Sequence, residues 1–366
     1  MANQLNQLVD AFRKALPHSG DFVLATIIET QGSTYQKAGA KMLILQDGEC
    51  LGLLSGGCLE SDLKEHADRI FTGGQSTTVF YDMRSPGDVI WGLGLGCNGS
   101  VNIMLQLLKA EERFYPLNAL VDAVENDRRG VLMTVFESTH EHFPVGRSIF
   151  FGQDDCENAS AGWPQAMIAG ARRALASHRP YTESRQLDGH EVGVFYDPIR
   201  ALPRLLIMGA GVDAMPLVRC ASALGWRVTV VDYRPANIKP ERFPAAERLI
   251  CSQPQDLVGN VPLDRFDALV MMTHNFEYDA RYLNAIADSQ IPFIGLLGPT
   301  ARKNRLLDSL GDKASKLEAR VFGPVGLDIG AATPDEIALS IMAGILAAQN
   351  GRNGGQLTHR QAFAHA

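Results

Sequence analysis

The stretch "RLLIMGAGVDAMPLVRCASALGWRVTVVDYR", residues 204–234, decides the fold of the second half of the chain. An apolar strand runs into Gly209 and Gly211, "DAMPLVRCASALG" reads as a helix, and "RVTVVDYR" is a second strand that reaches Asp232. Strand, glycine turn, helix and a strand ending in an acid about twenty residues on form the pattern of a dinucleotide-binding βαβ unit. The glycines let backbone approach a pyrophosphate at the helix N-terminus, Ala214 is the third small position, and Asp232 stands where an acid binds a ribose 2′-OH. Asp213 works the other way, because a carboxylate in the first turn repels a pyrophosphate. Close strand–helix packing also explains the glycines, so they speak for the fold first and for a nucleotide or NAD(P) second.

Downstream the alternation continues. "FDALVMMTH" is a strand, "YDARYLNAIADS" a helix, "PFIGLLGP" a strand and "TARKNRLLDSL" a helix, and "PDEIALSIMAGILAAQN" opens a last helix with a proline and two acids. Strands alternating with helices predict a Rossmann-like, doubly wound parallel sheet over 201–350. Ligands of such sheets bind beyond the carboxyl ends of the strands, where His274 stands. His274 reads as an acid/base group or anion ligand, and equally as a capped strand-end histidine. Asp279 reads as a helix N-cap rather than a catalyst. The tail 351–366 lacks periodicity and is expected to be loose.

Upstream, an α+β domain is expected over 1–200, with 116–200 less clearly part of it. "FVLATIIET" (22–30), "KMLIL" (41–45), "TTVFYDM" (77–83) and "VNIMLQLL" (101–108) read as strands. Leu5, Leu8, Val9, Phe12 and Leu16 line one face of an N-terminal helix that does not resemble a signal peptide. Helices are expected near 59–71, 117–127 and 164–178, and strands near 131–137 and 192–196.

Two glycine-framed cysteines stand out: Cys58 in "LSGGCLES" (54–61) after Gly56 and Gly57, and Cys97 in "GLGLGCNGS" (92–100) between Gly96 and Asn98. A thiol at a helix N-terminus is made more acidic by the helix dipole, although Glu60 opposes this. Thiolates suit soft metals and sulfur-rich cofactors, and Gly92, Gly94, Gly96 and Gly99 can form a backbone nest for an anion. Each cysteine alone reads first as a small buried residue in a tight turn, and the presence of two glycine-framed cysteines in one domain shifts the balance toward function. "ETQGSTYQKAGAKM" (29–42), with Ser33, Thr34 and Lys41, is a further polar loop that fits a ligand site or an ordinary hairpin.

Composition bounds the rest. The formal net charge of −7 argues against non-specific nucleic-acid binding, and no apolar run approaches the ~18 residues that cross a bilayer. With neither a membrane-spanning run nor a signal peptide the cytoplasm is the expected setting, and six cysteines without a C-x-x-C pair predict reduced thiols. No acid cluster suggests magnesium-dependent nucleotidyl transfer.

"GSTYQKAGAKM", "GLLSGGCLESD" and "GLGLGCNGS" resemble the N-terminal domain of the XdhC/CoxI family, accessory proteins of xanthine dehydrogenase and related molybdenum hydroxylases. "LLIMGAGVDAMPL", "LGWRVTVVDYR", "FIGLLGPTARK" and "GPVGLDIGAATPDEIALSI" resemble its C-terminal Rossmann-like domain. The resemblance implies a chaperone that binds the molybdenum cofactor (molybdopterin), protects it during sulfuration and delivers it to the apo-enzyme. It also implies a cysteine desulfurase as partner and a homodimer, with Cys58 and Cys97 matching the family's motif cysteines near the molybdenum. The turn "GAGVDAMP" lacks the third glycine of some members, which weakens the case for NAD. An NAD(P)-dependent oxidoreductase using Gly209, Gly211, Asp232 and His274 is the rival reading.

Overall fold

The computed structural model describes residues 2–18, 20–57, 59–84, 99–155 and 162–357. The chain divides into two compact units, one over Asn3–Ala201 and one from Leu202 onward.

The first unit holds two antiparallel sheets. β1 (Phe22–Gly32), β2 (Lys41–Leu45), β3 (Cys50–Gly52), β4 (Thr77–Asp82) and β5 (Gly99–Leu108) form one, in the order β3-β2-β1-β5-β4. β6 (Gly130–Ser138), β7 (Ser148–Gly152), β8 (Tyr181–Leu187) and β9 (His190–Ile199) form the other, in the order β7-β6-β9-β8. The period of two along β1 explains the layering. Val23, Ala25 and Ile27 face the helix Glu60–Gly73 and pack on its Leu63, Ala67 and Ile70. Complete burial of an aliphatic side chain such as Leu63 is worth about 1.5–3 kcal/mol.

A bulge between Ile27 and Glu29 interrupts the β1–β5 register and another lies between Val135 and Glu137 in the β6–β9 pair. The bulged Ile28 meets Met104 and Phe195 in a small cluster against which Phe136 packs, so both bulges feed one core between the sheets. The helix Gln165–Ser177 covers the far face of the second sheet through Met167, Ile168, Ala171 and Ala174.

The N-terminal helix ends at Ala15, so Leu16 falls past its last turn and is 50% exposed. Ala11 and Ala15 are buried beside Leu8, Val9 and Phe12 instead. That corrects the expected apolar face at its last position.

The second unit is the expected parallel sheet: β10 (Arg204–Met208), β11 (Arg227–Asp232), β12 (Arg248–Cys251), β13 (Ala268–Met271), β14 (Ile294–Leu296) and β15 (Val321–Phe322), in the order β12-β11-β10-β13-β14-β15. This is the dinucleotide-fold order, which reverses direction between β10 and β13. Helices Ala214–Ala223 and Pro334–Gln349 bury Leu217, Val218, Ile341 and Met342 on one face. Phe276–Ile286 and Thr300–Asp308 bury Tyr282, Leu283, Ile286 and Leu306 on the other. Thr333 caps the last helix in a capping box with Glu336. Among the described residues, no helix is long and apolar enough to cross a membrane.

Candidate functional site

In the first unit the backbone brings the loop 31–39, the start of the Cys58 turn and the first residue of β5 to one edge of the five-stranded sheet. Gly99 pairs with Gly32 at the ends of β5 and β1. A Cβ on Gly99 would stand 2.4 Å from the Gln31 carbonyl oxygen and 2.7 Å from that of Ser33, so this approach requires glycine. Tyr35 lies beside Gly56, whose Cβ would stand 3.9 Å from the ring. The loops 31–39 and 55–57 and the start of β5 are therefore neighbours. Cys58, Gly96, Cys97 and Asn98 lie outside the described residues.

The loop ahead of Cys58 is tied down by its own chain. The Ser55 amide donates to Glu60 Oε1 at 3.0 Å, the Ser55 hydroxyl donates to Glu60 Oε2, and the Leu59 amide donates to Ser55 Oγ at 3.0 Å and Glu60 Oε2 at 3.1 Å. One carboxylate at the start of the helix thus closes the turn that carries Gly56 and Gly57. Burial raises the Glu60 pKa, but the Ser55 and backbone hydrogen bonds outweigh it and hold the group below its ordinary value. Gly57 adopts φ +100°, and among the described residues nothing lies within 4 Å of where its Cβ would stand. Lys41, by contrast, is not available to a ligand: it is buried, paired with Asp197 of β9, and donates to the Gly39 carbonyl at 3.1 Å.

In the second unit Gly209, Gly211, Asp232 and His274 do meet at the carboxyl ends of β10, β11 and β13. Gly209 has φ +115°, and its Cβ would stand 2.4 Å from the Met272 carbonyl oxygen, so strand packing alone demands glycine. The polar groups there are already engaged. Fully buried Asp232 accepts from the Ala210 amide at 2.7 Å, the Arg234 amide at 2.8 Å, Arg234 Nε at 2.9 Å, Arg234 Nη2 at 2.8 Å and Asn237 Nδ2 at 3.2 Å. A carboxylate offers about four lone-pair sites, so a ribose hydroxyl would have to displace one of these donors. Burial pushes the Asp232 pKa up, yet the Arg234 fork and the amides hold it below the usual range.

Asp213 does not cap its helix. Its Oδ2 accepts from His274 Nε2 at 2.6 Å, and its Oδ1 lies 2.4 Å from where a Gly211 Cβ would stand. The side chain folds over the glycine turn where a pyrophosphate would lie. His274, 59% exposed in its side chain, holds a left-handed backbone with φ +61°. Asp279 is not the helix cap: Asn275 Oδ1 accepts from the Glu277 and Tyr278 amides at 3.0 and 3.3 Å. Asp279 is buried a turn further on, between the Thr273 hydroxyl and Arg302 Nη2. Arg234 was not singled out in the sequence, although the spacing of "DYR" puts a guanidinium within reach of the acid. Among the described residues no three His, Cys, Asp or Glu side chains are grouped to hold a metal ion.

An antiparallel unit with converging glycine loops, followed by a doubly wound unit of dinucleotide-fold topology, defines a two-unit α/β protein. Residues 16–82 match the XdhC and CoxI family, and residues 205–345 match the XdhC Rossmann domain. A Bacillus subtilis protein described as a probable xanthine dehydrogenase subunit is 34% identical over 326 residues, covering 88% of this chain and 92% of that one. The Escherichia coli molybdenum cofactor insertion chaperone PaoD is 23% identical over 334 residues, covering 90% and 84%. A crystal structure described as a xanthine dehydrogenase from Bacillus halodurans superposes with a TM-score of 0.75 at 28% identity, over 96% of this chain and 98% of that one. The chain belongs to the XdhC/CoxI family.

Proposed function

We propose that the protein is a molybdenum cofactor chaperone. It binds the cofactor as cargo, shields it while its terminal sulfido ligand is installed, and delivers it to a molybdenum hydroxylase of the xanthine dehydrogenase type. The observation that carries this reading is the convergence at one sheet edge of Gly99, the loop 31–39 and the Ser55–Glu60 turn. Cys58 and Cys97 lie one and two residues along the chain from Gly57 and Gly99. Among the described residues no side chain covers Gly57, and Gly56, Gly57, Gly96, Asn98 and the two thiols are the groups that would hold a bound group there. Thiolates suit molybdenum and its sulfur ligands. The PaoD relative's description as an insertion chaperone supports the same role. A cysteine desulfurase, the apo-hydroxylase and a second copy of the chain are the partners in this reading, and the cytoplasm is its setting.

The rival, an NAD(P)-dependent oxidoreductase, draws on the strand order of the second unit. It is disfavoured by the saturated Asp232 and by Asp213 lying over the glycine turn.

Purification of Cys58→Ala and Cys97→Ala from molybdate-supplied cells tests the site. Each is expected to carry several-fold less molybdenum and pterin than wild type with an unchanged unfolding midpoint; wild-type loading in both variants would remove the thiols from the account.

A further inference from the structure

We infer that Tyr35 is the surface on which the planar heterocycle of the cargo stacks, an assignment that rests on the chaperone reading above. The residue is 58% exposed, although a large aromatic side chain gains most by burial. One exposed apolar side chain is ordinary on a protein surface. The position is what distinguishes this one. The ring edge, Cε2 and Cδ2, stands 3.9 and 4.0 Å from where a Gly56 Cβ would be, and among the described residues nothing lies within 4 Å of a Cβ on the next residue, Gly57. Two exposed glycines therefore leave the ring beside the Cys58 turn uncovered, where larger side chains would stand in the way.

The backbone under the ring is fixed rather than loose. The Thr34 hydroxyl donates to the Gln36 carbonyl at 2.8 Å, Gln4 Nε2 of the N-terminal helix donates to Gln36 Oε1 at 2.5 Å, and the Gly39 amide donates to the Ile27 carbonyl at 2.8 Å. Gly99 packs on the Gln31 and Ser33 carbonyls from the other side. A ring presented by an anchored loop loses little conformational freedom when a flat ligand covers it. The exposed Lys37, whose ammonium donates to Thr34 Oγ1 at 3.3 Å, places a positive charge in the same loop for a phosphate on that ligand. Aromatic stacking with an anionic tail next to a cation is the chemistry that recognises a phosphorylated pterin.

The test compares wild type, Tyr35→Ala and Tyr35→Phe, purified from molybdate-supplied cells and dialysed. Molybdenum per chain, fluorescence of the oxidised pterin and the thermal midpoint are measured for each. Loss of base–aromatic stacking corresponds to about 5- to 150-fold weaker retention. Tyr35→Ala is expected to lose both signals by a factor in that range, Tyr35→Phe to keep them, and all three to unfold together because the ring is exposed. Wild-type retention in Tyr35→Ala overturns the assignment while leaving the chaperone reading intact. Equal loss in Tyr35→Phe overturns stacking in favour of the hydroxyl. A wild type that carries neither signal overturns the chaperone reading itself.

Discussion

Glu60 shows how much one carboxylate can organise. It gathers the amide and hydroxyl of Ser55 and the amide of Leu59, and so sets the path of the turn leading to Cys58. Its pKa is lowered on folding, against the burial that would raise it, because the Ser55 and backbone hydrogen bonds favour the ionised form. A group with a depressed folded value contributes stability above its unfolded pKa, about 4.3, and loses it as pH falls through the folded value. Glu60→Gln is therefore expected to be less stable than wild type by about 1–2 kcal/mol at pH 7. The gap should close in denaturant titrations taken down to about pH 3; a gap that is constant with pH would mean the ionised group is not what holds the turn. Sequence spacing identified Glu60 as a charge near a thiol but could not show that its charge is taken up by Ser55.

At the scale of elements, Lys41 of β2 and Asp197 of β9 join the two sheets of the first unit by an ion pair buried on both sides. Removing one partner of a buried pair leaves an uncompensated charge and costs about 3–5 kcal/mol, whereas apolar replacement of both is close to neutral. Lys41→Met should accordingly unfold at much lower denaturant than the double variant Lys41→Met/Asp197→Leu. Equal losses in the two would show that the pair is not coupled.

The elements themselves were unevenly legible. β10, β11, β13 and β14 are continuous apolar runs because helices cover both faces, and a run of that kind announces itself. β8, "YTESRQL", is polar and only half-buried at one edge of its sheet, and the two-residue β15 offers no period to detect. The site divides in the same way. Gly209, Gly211, Asp232 and His274 could be placed by spacing, but the closure of Asp232 by Arg234 and of Asp213 by His274 depends on side-chain directions that spacing does not carry.

For the molecule as a whole, the two units stand differently toward ligands. The second has the topology of a dinucleotide-binding sheet, with its ribose acid and its phosphate turn already engaged by the chain's own side chains. Wild type is expected to give no saturable fluorescence quenching with NADH up to millimolar concentration; tight saturable quenching would restore the oxidoreductase reading. The first unit brings Gly99 and the loops 31–39 and 55–57 together at one sheet edge, and it is there that the chaperone reading seats the cargo. The most direct test of the chaperone account is the cargo itself. Protein purified from molybdate-supplied cells should carry molybdenum together with a pterin that fluoresces on oxidation, in a fixed ratio to each other. Protein that carries neither, from cells whose molybdenum hydroxylase is active, would contradict it.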